Sequence, residues 1–171
     1  DSSAASDVYK RQKEDWSSYF KRLQSHPAWG TKNIVSWDVN IQGAREINST
    51  VTANPEVYYF SFVNSNTVLD SSSGRHIPNN TMSFIIRSNA RLMGMKKAYF
   101  EDGTSTDSTW FENDGIVNKK SMYGPTTGLN GADPITNYSE DEILIPGQWY
   151  AMNGLKMDHR RMVGHLSLIH I

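Results

Sequence analysis

The sequence predicts an α/β fold in which parallel strands are flanked by helices and joined by long loops. Three observations point to it. Apolar residues recur at helical spacings of 3 and 4 in separate segments, and one run, Val57-Tyr58-Tyr59-Phe60-Ser61-Phe62-Val63, is apolar or aromatic at nearly every position. Between them lie stretches rich in Ser, Asn, Gly and Pro. A strand apolar on both faces suits the centre of a parallel sheet covered by helices. Helices and strands separated by polar loops supply the layers such a fold is built from.

In chain order, Trp16, Phe20 and Leu23 mark a short amphipathic helix from Asp15 with a core-facing stripe, and Pro27 forbids its continuation. His26 at its end reads as a cation favourable to the helix dipole. Trp37 to Ile41 alternates weakly and reads as extended, and Ala44, Ile47 and Val51 mark a second helix closed by Asn54-Pro55. The Val57–Val63 run is the central strand. Residues 64–80, with Gly74, His76 and Pro78, read as a surface loop. Thr81 is placed to N-cap a third helix carrying Met82, Ile85, Ile86 and Leu92, stopped by Gly94. The Met and aromatic positions of 82–99 read as core rather than cleft. Residues 101–109 and most of 122–140, with Gly124-Pro125, Gly128, Gly131 and Asp133-Pro134, read as loop. Gly147-Gln148-Trp149-Tyr150-Ala151-Met152 reads as a second strand, which puts His159 in the loop beyond its C-terminal end, where open α/β sheets gather their functional groups.

Composition narrows the function. With 171 residues and 37% hydrophobic content, the chain can bury one core. A net charge of -1 leaves no basic footprint for nucleic acid. No apolar run reaches the roughly 18 residues of a membrane span. Zero cysteines exclude disulfides, thiolate metal sites and cysteine nucleophiles. Asn48 and Asn137 open N-x-[ST] triplets, which by themselves carry little weight.

The chemistry concentrates in Phe111-Glu112-Asn113-Asp114-Gly115-Ile116-Val117-Asn118 and Met157-Asp158-His159, where Asp114 precedes His159 by 45 positions. An acid on a tight turn followed by a histidine is the order of the last two members of an α/β-hydrolase Ser-His-Asp triad. The nucleophile is not found. Gly103-Thr104-Ser105-Thr106-Asp107 lacks the second glycine of Gly-x-Ser-x-Gly and has no helical pattern after it. Taken alone, Asn-Asp-Gly is an ordinary turn and a lone histidine an ordinary side chain. Their order makes the two candidates.

Further motifs join them: Tyr19-Phe20-x-Arg22-Leu23 with Pro27-x-Trp29, Asp38 with Gly43-Ala44-Arg45-Glu46, Asn54-Pro55, Trp110, Ser121-Met122-x-Gly124-Pro125, Gly147-x-Trp149 and Val163-Gly164. Together, over roughly residues 14–165, they resemble the C-terminal half of thermoalkalophilic bacterial triacylglycerol lipases, the large secreted lipases of Geobacillus and staphylococcal type. The resemblance implies the C-terminal portion of an α/β-hydrolase fold. It assigns Asp114 as triad acid and His159 as general base. It also implies a secreted parent protein acting on lipid esters at an oil-water interface.

The family's metal sites carry over poorly. Its zinc aspartate falls on Asn33, a neutral and weaker ligand. Its calcium glutamate falls on Arg161, a cation where oxygen ligands are needed, its calcium aspartate on Leu166, and its calcium glycine near Thr81. No metal or other cofactor is therefore expected, and Arg160 and Arg161 read as solvated loop charges. Residues 1–12 and 166–171 resemble translated adaptor sequence around fragmentary metagenomic reading frames and are set apart as a non-native leader and tail, leaving 13–165 as the partial domain. Two other readings stand beside the hydrolase: a non-catalytic, aromatic-rich binding module, and a hydrolase-like scaffold without activity.

Overall fold

A computed structural model describes residues 15–126 and 133–164. The expectations for residues 1–12, Gly128, Gly131 and 166–171 lie outside the described residues. Two compact units divide the chain, residues 1–44 and 45–171.

In the first unit, helix α1 spans Trp16–Gln24 and is capped by Asp15, whose carboxylate accepts the Ser17 and Ser18 N–H groups at 2.9 and 3.1 Å. The Ser18 hydroxyl, also bonded to that carboxylate, is the main reason Asp15 is held below the usual carboxylate range. The stripe is not core-facing: Trp16 is 75% and Phe20 52% exposed. Its rings find partners in each other instead, Trp16 meeting Tyr19 edge-on at 5.8 Å. Pro27 stops the helix by opening the 3-10 turn Pro27–Gly30. His26 caps that turn with its ring, Nδ1 accepting the Ala28 N–H at 3.1 Å, so it acts as an acceptor and not as a dipole cation. The segment expected to be extended, Trp37 to Ile41, instead takes in the end of helix α2 (Val35–Asp38), a turn and the first residue of the next helix. Its five-residue alternation is too short to separate strand from helix.

Helix α3, Ile41–Asn48, ends before Val51 because the Ser49 and Thr50 hydroxyls bond the Glu46 and Ile47 carbonyls of its last turn, at 2.7 and 2.8 Å. Gly43 in its first turn is buried where a Cβ would overlap the Trp37 carbonyl oxygen.

The second unit is built on a parallel three-stranded sheet. Strand β1 is Tyr59–Asn64; β2 (Thr67–Asp70) and β3 (Arg75–Pro78) form an antiparallel hairpin of their own; β4 is Ile135–Asn137 and β5 is Trp149–Leu155. The sheet order is β1-β5-β4, so β5, not β1, is central among the described strands. Phe60 and Phe62 are accordingly more exposed than a strand covered on both faces would leave them. The aromatic run is used in cross-strand pairs instead. Tyr59 stacks on Trp149 at 4.8 Å and Phe60 on Tyr150 at 5.7 Å, each pair directly in register.

Two strand features escaped the periodicity. The hairpin lies inside the segment expected to be loop, and only its Ser-rich turn is one: Asp70 accepts the Ser72 and Ser73 hydroxyls at 2.7 and 2.6 Å. Strand β4 lies in the expected 122–140 loop and has three residues, too few to show alternation. It is anchored where Trp149 N–H reaches the Pro134 carbonyl at 2.9 Å.

The third expected helix is a 3-10 turn, Phe84–Ile86, running into α4, Arg87–Met93. Ile86 and Ala90, one turn apart, are buried in a cluster with Met82, which precedes the turn, while Phe84, Ile85 and Tyr99 are exposed. Thr81 does not cap it; its hydroxyl bonds Asn66 and Asn79 at 3.0 and 3.1 Å. Gly94 does end it, with an ordinary negative φ. The glycine is required because a Cβ would run into the His76 carbonyl oxygen, where β3 passes close enough for His76 N–H to reach the Gly94 carbonyl at 2.9 Å. Replacing Gly94 by Ala should therefore lower the unfolding free energy by about 1–3 kcal/mol. Gly30→Ala, where a Cβ meets nothing, should change it by no more than about 0.5 kcal/mol, as urea denaturation of the two variants would show.

Candidate active site

The Asp114 turn is sealed into the second unit before it carries any chemistry. Asn113 and Asn118 pair across it, and Asp114 N–H reaches the Val117 carbonyl at 3.1 Å. The Asn113 side chain is fully buried and spans the turn: Nδ2 donates to the Ala90 and Phe111 carbonyls at 3.1 and 2.9 Å, and Oδ1 accepts Gly115 N–H at 2.9 Å. Its main chain is clamped by the segment after β1. Asn66 N–H and the hydroxyl of Ser65 reach the Asn113 carbonyl at 3.1 and 3.3 Å, while Thr67 Oγ1 accepts Asn113 N–H at 3.1 Å. Gly115 has a φ of +100°, and an added Cβ would lie 2.7 Å from Ile86 Cδ1, so both conformation and space call for glycine.

Asp114 is 1% exposed, and four donors meet its carboxylate. Oδ1 accepts the Ile116 and Val117 N–H groups at 2.9 and 2.7 Å. Oδ2 accepts His159 Nδ1 at 2.9 Å and Asn64 Nδ2 at 3.3 Å. The two residues separated by 45 positions thus meet within hydrogen-bond distance, and His159 N–H adds a main-chain link to the Asp114 carbonyl at 3.0 Å. A carboxylate only accepts, so the shared hydrogen sits on Nδ1. In a neutral ring that leaves Nε2 as the acceptor.

His159 does not sit in a loop; it opens a one-turn helix, α5, His159–Met162. Asp158 caps that turn from full burial, Oδ1 accepting Arg161 N–H at 3.1 Å and Oδ2 accepting Ser83 N–H at 2.8 Å. The His159 side chain is 34% exposed, and Nε2 has no hydrogen-bond partner among the described residues. Arg161 is exposed as expected of a solvated charge. Arg160 is not, for its Nε is buried without a partner.

The remaining candidates fall elsewhere. Gly103–Asp107 is a surface turn closed by a Tyr99–Ser105 bridge and a Phe100 N–H bond to the Thr104 carbonyl at 2.9 Å, with a 3-10 turn after it, so Ser105 is on no strand-to-helix elbow. Ser121 donates to the Asn118 carbonyl at 2.8 Å. Asn33, Thr81 and Arg161 are all exposed. His76 lies on β3, not in a loop, with Nδ1 at 3.3 Å from Thr67 Oγ1; burial lowers its pKa, against the nearby Glu112 charge, which raises it. A cavity of about 240 Å³ opens past the C-terminal ends of β1 and β5, lined by Ser65, Thr67, Glu112, Lys119 and Lys156 among others, but neither Asp114 nor His159 lines it. Asn64, Asn113 and Asp158 were missed as site residues. For Asn64 the available signal was its place immediately after the apolar strand run, at the end where such sheets carry their sites.

A family profile described as "Lipase-like, C-terminal domain" matches residues 5–137, which takes in Asp114, stops short of His159, and begins inside the stretch 1–12 set apart above. The lipase of Staphylococcus hyicus is 26% identical over 156 residues, covering 91% of this chain and 22% of that protein. Among solved structures, EstA from Clostridium botulinum is 34% identical with a TM-score of 0.74, over 90% of this chain and 36% of that one. Lipase 1 from Pelosinus fermentans is 27% identical with a TM-score of 0.63, over 86% and 38%. The chain thus spans well under half the length of these relatives. Its parallel sheet with accompanying helices is the C-terminal portion of an α/β-hydrolase fold, and the chain belongs to the lipase-like C-terminal domain family.

Proposed function

We propose that the parent protein of this chain is a serine carboxylester hydrolase acting on acylglycerols, with Asp114 as the acid and His159 as the base of its triad. The nucleophilic serine belongs to a part of the parent outside this chain. The observation that carries the reading is the 2.9 Å contact between His159 Nδ1 and Asp114 Oδ2 across 45 residues, with the other ring nitrogen unpartnered among the described residues. His159 Nε2 takes the serine proton as the oxygen attacks the ester carbonyl, then returns it to the leaving alcohol; water repeats the sequence to release the acid. Asp114 fixes the tautomer that leaves Nε2 free and stabilises the imidazolium. The relatives' name supports a lipid substrate for the parent, which we place outside the cell at an oil-water interface. No helix among the described residues is long and apolar enough to cross a membrane.

The chain by itself should show no esterase turnover above buffer, because the group that forms the acyl-enzyme is not in it. Stoichiometric labelling of Ser105 or Ser121 by a serine-reactive phosphonate would refute this. In the parent, Asp114→Asn should lower kcat by about 10⁴, since an amide holds the ring in the wrong tautomer. An unchanged rate in that variant removes Asp114 from the triad. Metals have no part in this reading, in keeping with Asn33, Thr81 and Arg161 at the family's ligand positions. Zinc or calcium should leave the thermal midpoint of the chain where it is, and a chelator-reversible rise at micromolar metal would show that other oxygens bind it.

A further inference from the structure

We propose that Asn64 is a positioning residue for the Asp114–His159 pair, a role that rests on reading those two residues as acid and base. Asn64 ends β1 and is 2% exposed. One Nδ2 group donates to Asp114 Oδ2 at 3.3 Å and to the Met157 carbonyl at 3.1 Å. Both partners only accept, so turning the amide over would set its carbonyl oxygen against two acceptors; the chemistry fixes which way the side chain faces.

The backbone delivers Asn64 to this place by a break in strand register. Phe62 pairs with Met152 and Asn64 with Leu155, so β5 carries one residue more than β1 over this interval. Gly154, with a φ of +91°, lies in the bulge. Past it the in-out alternation of β1 is lost, and Val63 and Asn64 are both buried. A bulge commonly re-aims a side chain beside a functional site, and here it puts an amide at the C-terminal end of the sheet.

The consequence is geometric. Oδ2 is the oxygen that His159 uses, and Met157 lies two residues before His159. Asn64 is the one side chain among the described residues that bonds both the Asp114 carboxylate and the main chain leading to His159. It refers acid and base to the same strand end. Without it, the carboxylate keeps its two turn N–H donors on Oδ1, and nothing but the imidazole holds Oδ2.

The test is made on the 171-residue chain uniformly labelled with ¹⁵N. A hydrogen on Nδ1 held by a buried carboxylate resonates far downfield and exchanges slowly with water, which reports the pair directly. In Asn64→Leu, similar in size but without donors, this proton should exchange at least about tenfold faster, as expected on loss of a hydrogen bond to a charged group. The Trp149 and Tyr150 amide signals should stay in place. If the Leu variant does not fold, Asn64→Ser, too short to span both acceptors, is held to the same criterion. A folded variant whose Nδ1 proton exchanges as in the unaltered chain, with only a lowered thermal midpoint, makes Asn64 merely structural and overturns the proposal. A missing downfield proton in the unaltered chain instead refutes the pairing of Asp114 with His159, and with it the reading on which the role depends.

Discussion

A carboxylate buried to 1% exposure has to find hydrogen-bond donors on every side, and the structure around Asp114 is organised by that requirement. Two donors come from the main chain of its own turn, one from β1 and one from the imidazole. Each source imposes a condition elsewhere. The turn donors need Gly115 at positive φ against Ile86, and they need Asn113 to hold the turn shut. The strand donor needs the bulge at Gly154, and the imidazole donor needs Asp158 to cap the turn that begins with His159. Helix α4 and the 3-10 turn before it both enter the same arrangement, α4 through the Ala90 carbonyl that receives Asn113 and the turn through the Ile86 side chain beneath Gly115. The acid is thereby built into the core of the second unit.

The same scheme explains why the two most informative residues were legible in the sequence. Asp114 sits in a turn with its own signature, and His159 follows in the order that one known triad arrangement uses. The sequence order could suggest that they meet because the fold class supplies the reason. The polar residues around them left no such trace. Asn64, Ser65 and Thr67 look like the beginning of a polar loop, and Asp158 looks like an ordinary acid beside a histidine. Their roles depend on where the Asn113 carbonyl and the Ser83 N–H lie in space, 48 residues away from Ser65 and 75 from Asp158.

The fold shows a parallel split. The Val57–Val63 run was recognisable as strand, but its neighbours were not, since an apolar run carries no record of whether rings are buried beneath helices or matched across strands. Tyr59 on Trp149 and Phe60 on Tyr150 are register pairs, a pattern visible only once both strands are known. The stripe of α1 misled in a similar way: its spacing is helical, yet its rings cluster with one another in the open. Gly94 was recognisable as a stop, but the close approach of the His76 carbonyl that calls for glycine there leaves no mark in the sequence.

The closed turn has a further consequence, for the chemical ageing of the protein. Among aspartyl dipeptides Asp-Gly is the one most prone to cyclise, through attack of the glycine nitrogen on the aspartate side-chain carbon, and the product reopens largely as isoaspartate with an extra methylene in the main chain. Here that nitrogen is committed to Asn113 Oδ1 at 2.9 Å, and the carboxylate is held by its own donors. The bonds that present Asp114 to His159 therefore also keep the peptide plane and the carboxyl carbon from the approach that cyclisation requires. Opening of the turn would expose the acid to a covalent lesion at the position where an added methylene would carry it away from the imidazole.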